Sequence, residues 1–268
     1  MQKHDLRRPL GALAVVAFAT LALAGTALAA TVVVTPSSSS WHRVDTRPGG
    51  DVTFTEEYGA PAGHGSGALK LTTDATTAAK ADYWTEQVAG TPLSGVTDLS
   101  YWTYQAPTPQ PPVAAASYQV AVDLNGAAEG GFTTLVYEPY WNGAVVPATW
   151  QQWDVDAGLF WSSRTFAEGT CAVIAGAGGP PLYTLAQLQQ LCPNAVVQAI
   201  GVNVGSFNPG YTVATDGVQF NGTTYDFEVG RSPGTKDDCK NGGWMTFDDP
   251  SFRNQGECVS YVNARDKA

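Results

Sequence analysis

Basic residues and histidines are the scarcest chemistry in this chain. Lys and Arg number 14 against 24 Asp and Glu, and there are 3 His. Between Ala30 and Gly230 the cations are Arg43, Arg47, Lys70, Lys80 and Arg164, set against 17 carboxylates. Such a surface repels nucleic acid and anionic lipid, and tolerates neutral polysaccharide or cations. No C-x-x-C pair occurs, which argues against a metal–thiolate site. No phosphate loop and no G-x-G-x-x-G occur, so nucleotides are not implied. Gly65-Ser66-Gly67 lacks the strand–turn–helix setting of a nucleophile elbow, and only His42 and His64 lie beyond residue 29, so a Ser–His triad finds no support. Past the N-terminal segment, no apolar run reaches the roughly 20 residues that cross a bilayer.

What is present begins with a leader. Lys3, Arg7 and Arg8 form a positive segment, an apolar run follows from Leu10 to Leu23, and Ala27-Leu28-Ala29 supplies an A-x-A cleavage pattern. The run is short for a retained anchor, so cleavage before Ala30 is expected, with no membrane partner afterwards. Arg7-Arg8 suggests a twin-arginine signal, but Pro9 follows and the usual flanking residues are missing. Residues 1–29 carry Lys3, Arg7, Arg8 and Asp5, a net +2. The rest therefore carries −10 − 2 = −12. From Arg231 onward charges cancel, so the whole −12 belongs to the segment before it.

Four Cys in an exported chain read as two disulfides. Of the three possible pairings, sequence proximity favours Cys171–Cys192 and Cys239–Cys258. Each closes a loop of about 20 residues and contributes roughly 3 kcal/mol in the chain-entropy model.

Residues 30–40 end in Pro and four Ser and read as a polar spacer. From Trp41 the chain alternates short apolar runs with Gly, Pro, Asp and Ser. Strands are expected at Trp41–Asp45, Val52–Glu57, Ala68–Thr73, Ala79–Glu86, Asp98–Gln105, Ser117–Asn125, Phe132–Tyr137, Trp150–Val155, Leu159–Ser162, Ala195–Val204, Tyr211–Phe220 and Thr223–Val229. A period of two is plain in Ala68–Thr73 and in Tyr118–Leu124. Pro107, Pro109, Pro111 and Pro112 form an extended connection. One helix is expected behind Thr184, with Leu185, Leu188 and Leu191 on one face and Pro193 as the stop. Asn221-Gly222 between alternating runs predicts a type I′ hairpin. The organisation follows: leader 1–29, spacer 30–40, β-sandwich 41–229, linker 230–236 and cysteine-containing tail 237–268. The class is all-β, an antiparallel sandwich of jelly-roll type with one short helix.

The densest chemistry lies between Phe132 and Phe166, which holds four of the eight Trp. Trp rings stack on sugar faces, and carboxylates and amides hold hydroxyls. Trp150, Trp153 and Trp161 fit strands and core. Tyr140 and Trp141, just after Pro139, are expected at an exposed turn, with Glu138 and Asn142 as polar partners. Asp216, Asp226 and Glu228, on the last two strands, could supply oxygens to a structural Ca2+ ion. Glu138 with Asp154 or Asp156 could form the carboxylate pair of a glycosidase, although the E-x-D-x-x-E strand motif of sandwich glucanases does not occur.

Two segments carry resemblances. Cys239-Lys240-Asn241-Gly242-Gly243-Trp244, Phe247, Phe252, Asn254-Gln255-Gly256 and Cys258-Val259 resemble a short C-terminal cysteine motif of many secreted bacterial proteins. It covers about a tenth of the chain and implies export and a disulfide. Trp150-Gln151-Gln152-Trp153-Asp154, Tyr211–Val218 and Tyr225-Asp226-Phe227-Glu228 look like strands of the carbohydrate-binding-module-like jelly rolls attached to secreted bacterial enzymes. That resemblance implies a sandwich, with carbohydrate and structural Ca2+ as ligands of many such modules. The expectation is therefore an exported, extracellular or cell-wall-associated, non-catalytic module for carbohydrate. The alternatives are a secreted polysaccharide hydrolase or lyase, and a surface or matrix protein with protein partners only.

Overall fold

A computed structural model describes residues 30–107, 114–126, 130–168, 171–173 and 179–266. The leader and Pro109, Pro111 and Pro112 lie outside the described residues. Seven strands form one sheet: β1 (Ala30–Val34), β2 (Gly50–Thr55), β3 (Ala68–Thr73), β5 (Leu99–Gln105), β8 (Trp150–Asp154), β14 (Thr212–Phe220) and β15 (Thr223–Phe227). Six form the other: β4 (Ala81–Thr85), β6 (Ser117–Asp123), β7 (Phe132–Tyr137), β9 (Leu159–Ser162), β12 (Tyr183–Thr184) and β13 (Val196–Val204). A ribbon of β10 (Phe166–Glu168) and β11 (Cys171–Val173) stands apart. The long strand β14 is the axis of the first sheet. Its first half pairs with β3, its second half with β15, and its whole length with β5.

Alternation decides which face each residue takes. In β5, Leu99, Tyr101, Thr103 and Gln105 are buried, while Ser100, Trp102 and Tyr104 are only partly covered. The core between the sheets collects Leu69, Leu71, Tyr101, Tyr118, Leu135, Tyr137, Trp153, Phe160, Ile200, Val213 and Phe227. Buried tyrosines tie the two layers together. The Tyr101 hydroxyl donates to the Ala116 carbonyl at 2.6 Å, and the Tyr118 hydroxyl donates to the Gln219 carbonyl at 2.9 Å. Burial raises both hydroxyls well above their ordinary pKa, so they remain donors.

The Asn221-Gly222 turn joins β14 to β15 with φ of 47° and 79°, the left-handed pair a type I′ turn needs. Thr184 caps the helix α2 (Leu185–Leu191) in a full capping box with Gln187. Both disulfides pair as the spacing predicts, Cys171–Cys192 and Cys239–Cys258.

Three expectations need correction. The start of the expected spacer is strand: Ala30–Val34 runs parallel to β15, and Val34 is fully buried. Its β-branched residues find an open edge beside the last strand. Trp41–Asp45 is not a strand. Only His42 bridges to Trp84, and Trp41 turns into the core against Tyr225 and Phe227. Helices number three among the described residues, not one. Pro139–Asn142 forms a single turn, α1, and Gln255–Arg265 forms α3 in the tail. There Cys239, Cys258 and Val262 gather Trp244, Phe247, Phe252 and Tyr261 into a small cluster of their own.

No helix among the described residues is long and apolar enough to cross a membrane.

Candidate functional site

The outer face of the first sheet carries a strip of partly exposed rings. Register places Tyr104 of β5 opposite Trp150 of β8, with ring centroids 5.6 Å apart. Tyr58, from the loop after β2, stacks on Tyr104 at 4.9 Å, and its carbonyl accepts the Trp150 indole N–H at 3.1 Å. Trp102, two residues along β5, shares this face and meets His64 of the same loop at 6.5 Å. Planar, half-covered rings on a rigid sheet offer apolar area at little cost in side-chain entropy.

Beside the strip runs a groove of about 460 Å3 lined by Asp98, Ser100, Gln152, Trp153, Asp154, Asp156 and Gln219. Its polar groups are organised. Gln219 Nε2 donates to Asp98 Oδ2 at 2.6 Å, and the Ser100 hydroxyl donates to Gln219 Oε1 at 2.8 Å. Asp156 accepts the Leu99 amide at 2.8 Å. Gln152 and Asp154 are exposed. A bulge in β14 aims Gln219 into this groove. Asp216 pairs with Trp102 and Gln219 with Ser100, so three steps along β14 match two along β5. Without the extra residue Gln219 would face the core.

Glu138, Tyr140, Trp141 and Asn142, the residues singled out from sequence, lie elsewhere, at the end of β7. Trp141 is 38% exposed and stands 5.6 Å from Tyr140. Burial pushes the Glu138 carboxyl up to about 8, so it is mostly neutral at pH 7. Asn142 is committed to the fold. Its Nδ2 donates to the carbonyls of Glu138 and Leu159, and its Oδ1 accepts the Leu159 amide at 2.7 Å. An amide with both ends on backbone has little left for a ligand. Asp154 and Asp156 belong to the groove of the first sheet, whereas Glu138 is not among its walls.

A second hollow, of about 470 Å3, lies over Trp84 on the other sheet, with Phe132, Ala121 and Ala199 in its walls. Its charged groups are already paired, Glu86 with His42 at 3.3 Å and the rest among themselves and Arg47. Lys80 contacts Asp45 at 2.9 Å and Asp82 at 3.4 Å, and Asp45 also holds Arg47 at 2.7 Å. These cations hold the Asp45 carboxyl down to about 2.

The acidic residues of the last strands are partly gathered. Asp216 and Asp226 converge, and His64 joins them from the loop above. Burial, opposed only in part by two backbone amides, pushes Asp216 up to about 8. Asp226 is also raised, by burial first. Glu228 turns away to accept the amides of Ser66 and Gly67 at 3.0 and 2.9 Å, pinning the loop that carries His64.

The sheet-face strip is hard to read from sequence because its parts are scattered. Tyr58 sits in a loop, Tyr104 in β5 and Trp150 in β8, and only strand register unites them. The alternating Ser100, Trp102, Tyr104 was the signal available.

No protein-family model and no curated protein matches the sequence. Among solved structures, the chain is similar to a family 11 carbohydrate-binding module from Clostridium thermocellum in complex with a β-1,3-1,4-mixed-linked tetrasaccharide. Identity is 11%, the match covers 69% of this chain and 90% of that one, and the TM-score is 0.41. It is also similar to an arabinose-bound α-L-arabinofuranosidase, at 10% identity, 68% and 22% coverage and a TM-score of 0.35. Likeness of this degree carries no argument about function.

Proposed function

We propose that this protein is an exported, non-catalytic module that binds neutral polysaccharide on the outer face of its first sheet. The observation that carries the reading is the ring strip Tyr58–Tyr104–Trp150 lying beside an organised polar groove on one rigid face. Sugar rings present apolar C–H faces and a rim of hydroxyls. Trp150 and Tyr104 would take the faces by stacking. Asp98, Gln152, Asp154 and Gln219 would take the hydroxyls. The −12 charge beyond the leader disfavours anionic polymers and leaves neutral ones. Two disulfides suit an extracellular setting. Tyr140 and Trp141 form a separate exposed corner that could lengthen the contact, with Glu138 as a neutral carboxyl beside it.

Affinity electrophoresis in a panel of soluble neutral polysaccharides tests the reading. At least one should retard the protein, and Trp150→Ala should abolish the retardation while Trp141→Ala reduces it less. If no polymer retards the protein, the reading fails. If Trp141→Ala abolishes retardation and Trp150→Ala does not, the binding face is the corner instead of the strip. Release of reducing ends that depends on Glu138 would favour the hydrolase over the module.

A further inference from the structure

We infer that His64, Asp216 and Asp226 form a binding site for a divalent transition metal of the zinc type, in preference to Ca2+. One ligand atom from each residue lies within 4.8 Å of the other two. Asp216 is fully buried. Its Oδ1 accepts the amides of Gly217 and Phe227, each at 2.7 Å, but its Oδ2 has no hydrogen-bond partner. Asp226 is buried as well; its Oδ1 takes no N–H or O–H from any other residue, and the Asp216 carboxyl lies within hydrogen-bond reach of its carboxylate. His64 Nδ1 stands 3.8 Å from that oxygen, too far for a hydrogen bond.

Two carboxyl groups turned together under a loop cannot both be bare carboxylates without cost, and by themselves they relieve it only by sharing a proton. A dication between them and the imidazole would satisfy all three groups at once. The backbone makes room for the ring. Gly217 has φ +55°, and a Cβ there would come within 2.6 Å of His64 Cε1. The amides on Asp216 Oδ1 fix the carboxylate as an outer shell fixes a ligand.

Donor chemistry selects the metal. Ca2+ takes six to eight oxygens, whereas imidazole with carboxylates suits zinc and its neighbours. Glu228, the third oxygen donor expected for Ca2+, has both oxygens on loop amides. His64 stands in the cluster instead. This inference is independent of the glycan reading.

The test uses the purified protein without a polyhistidine tag, stripped with chelator and titrated calorimetrically with Zn2+ and with Ca2+. The described cysteines are disulfide-bonded, so thiolates do not compete. One Zn2+ should bind per chain, at least ~10-fold more tightly than Ca2+, and should raise the melting temperature. Asp216→Asn keeps an oxygen for the two amides and replaces only the free one. It and His64→Ala should each weaken Zn2+ by ~10-fold or more, while His42→Ala, at an exposed pair with Glu86, should not. Absence of saturable Zn2+ binding, Ca2+ binding as tight as Zn2+, or Zn2+ binding that survives both His64→Ala and Asp216→Asn overturns the inference.

Discussion

Replacing Glu138 with Gln should stabilise this protein at alkaline pH and have little effect in acid. The Glu138 carboxyl rises from an ordinary 4.5 to about 8 because burial disfavours its charge. Between those values the folded chain keeps a proton that the unfolded chain has released. Stability must therefore fall as pH climbs from about 4.5 to about 8, and level off above that. At 1.36 kcal/mol per pH unit the whole displacement is worth ~5 kcal/mol. Glu138 as a residue is partly exposed, so solvent screening lowers the expectation to ~2–4 kcal/mol. Gln has the same shape and no charge to desolvate. Tyr101 and Tyr140, the phenols that feel the Glu138 charge, remain protonated throughout the window. Urea unfolding of both proteins, from pH 5 to pH 9 in the presence of chelator, is the assay. Asp216 is raised into the same region, so the difference between the two proteins, not either profile alone, isolates Glu138. That difference should grow with pH by ~2–4 kcal/mol. A gap that stays constant from pH 5 to pH 9 would refute the reasoning.

Other outcomes follow from the same contacts. Asn142→Ala removes three side-chain hydrogen bonds to backbone and should cost about 1–3 kcal/mol in urea unfolding, with polysaccharide retardation intact. Retardation lost at full stability would return Asn142 to the ligand. Gly217→Ala places a Cβ against His64 at a left-handed φ and should lower the melting temperature, a loss of roughly 1–3 kcal/mol. An unchanged melting curve would contradict the close packing of His64 on β14. Cys239→Ser should open the tail to trypsin at Lys240 and Arg253 while the sandwich keeps its own melting transition. Cleavage no faster than in the wild type would mean that the small aromatic cluster holds the tail by itself.

Much of the sandwich could be read from alternation, because a sheet with one buried face writes its register in the sequence. Ala68–Thr73 and Leu99–Gln105 are strands to the residue or nearly so, and Asn221-Gly222 turns where it should. Edges were less legible. Ala30–Val34 looks like the start of a spacer because four Ser follow it, and nothing local tells that the last strand offers a parallel partner. The candidate site was the hardest part. The eye goes to the Trp-rich segment 132–166, yet its Trp153 is core and its Trp150 gains meaning only opposite Tyr104. His64 has the composition of a flexible loop, and its place above Asp216 depends on Glu228 holding amides 161 and 162 residues away in sequence.

The hydroxyl of Tyr118 crosses from the second sheet to the main-chain oxygen of Gln219. Gln219 in turn orients Ser100 and Asp98 in the groove of the first. This outer face is consequently not a detachable veneer. Transplanting its visible side chains onto another sandwich would carry over the rings but not the spacing between layers that sets their polar neighbours. Reshaping the groove therefore means changing residues, such as Tyr118, that do not line it.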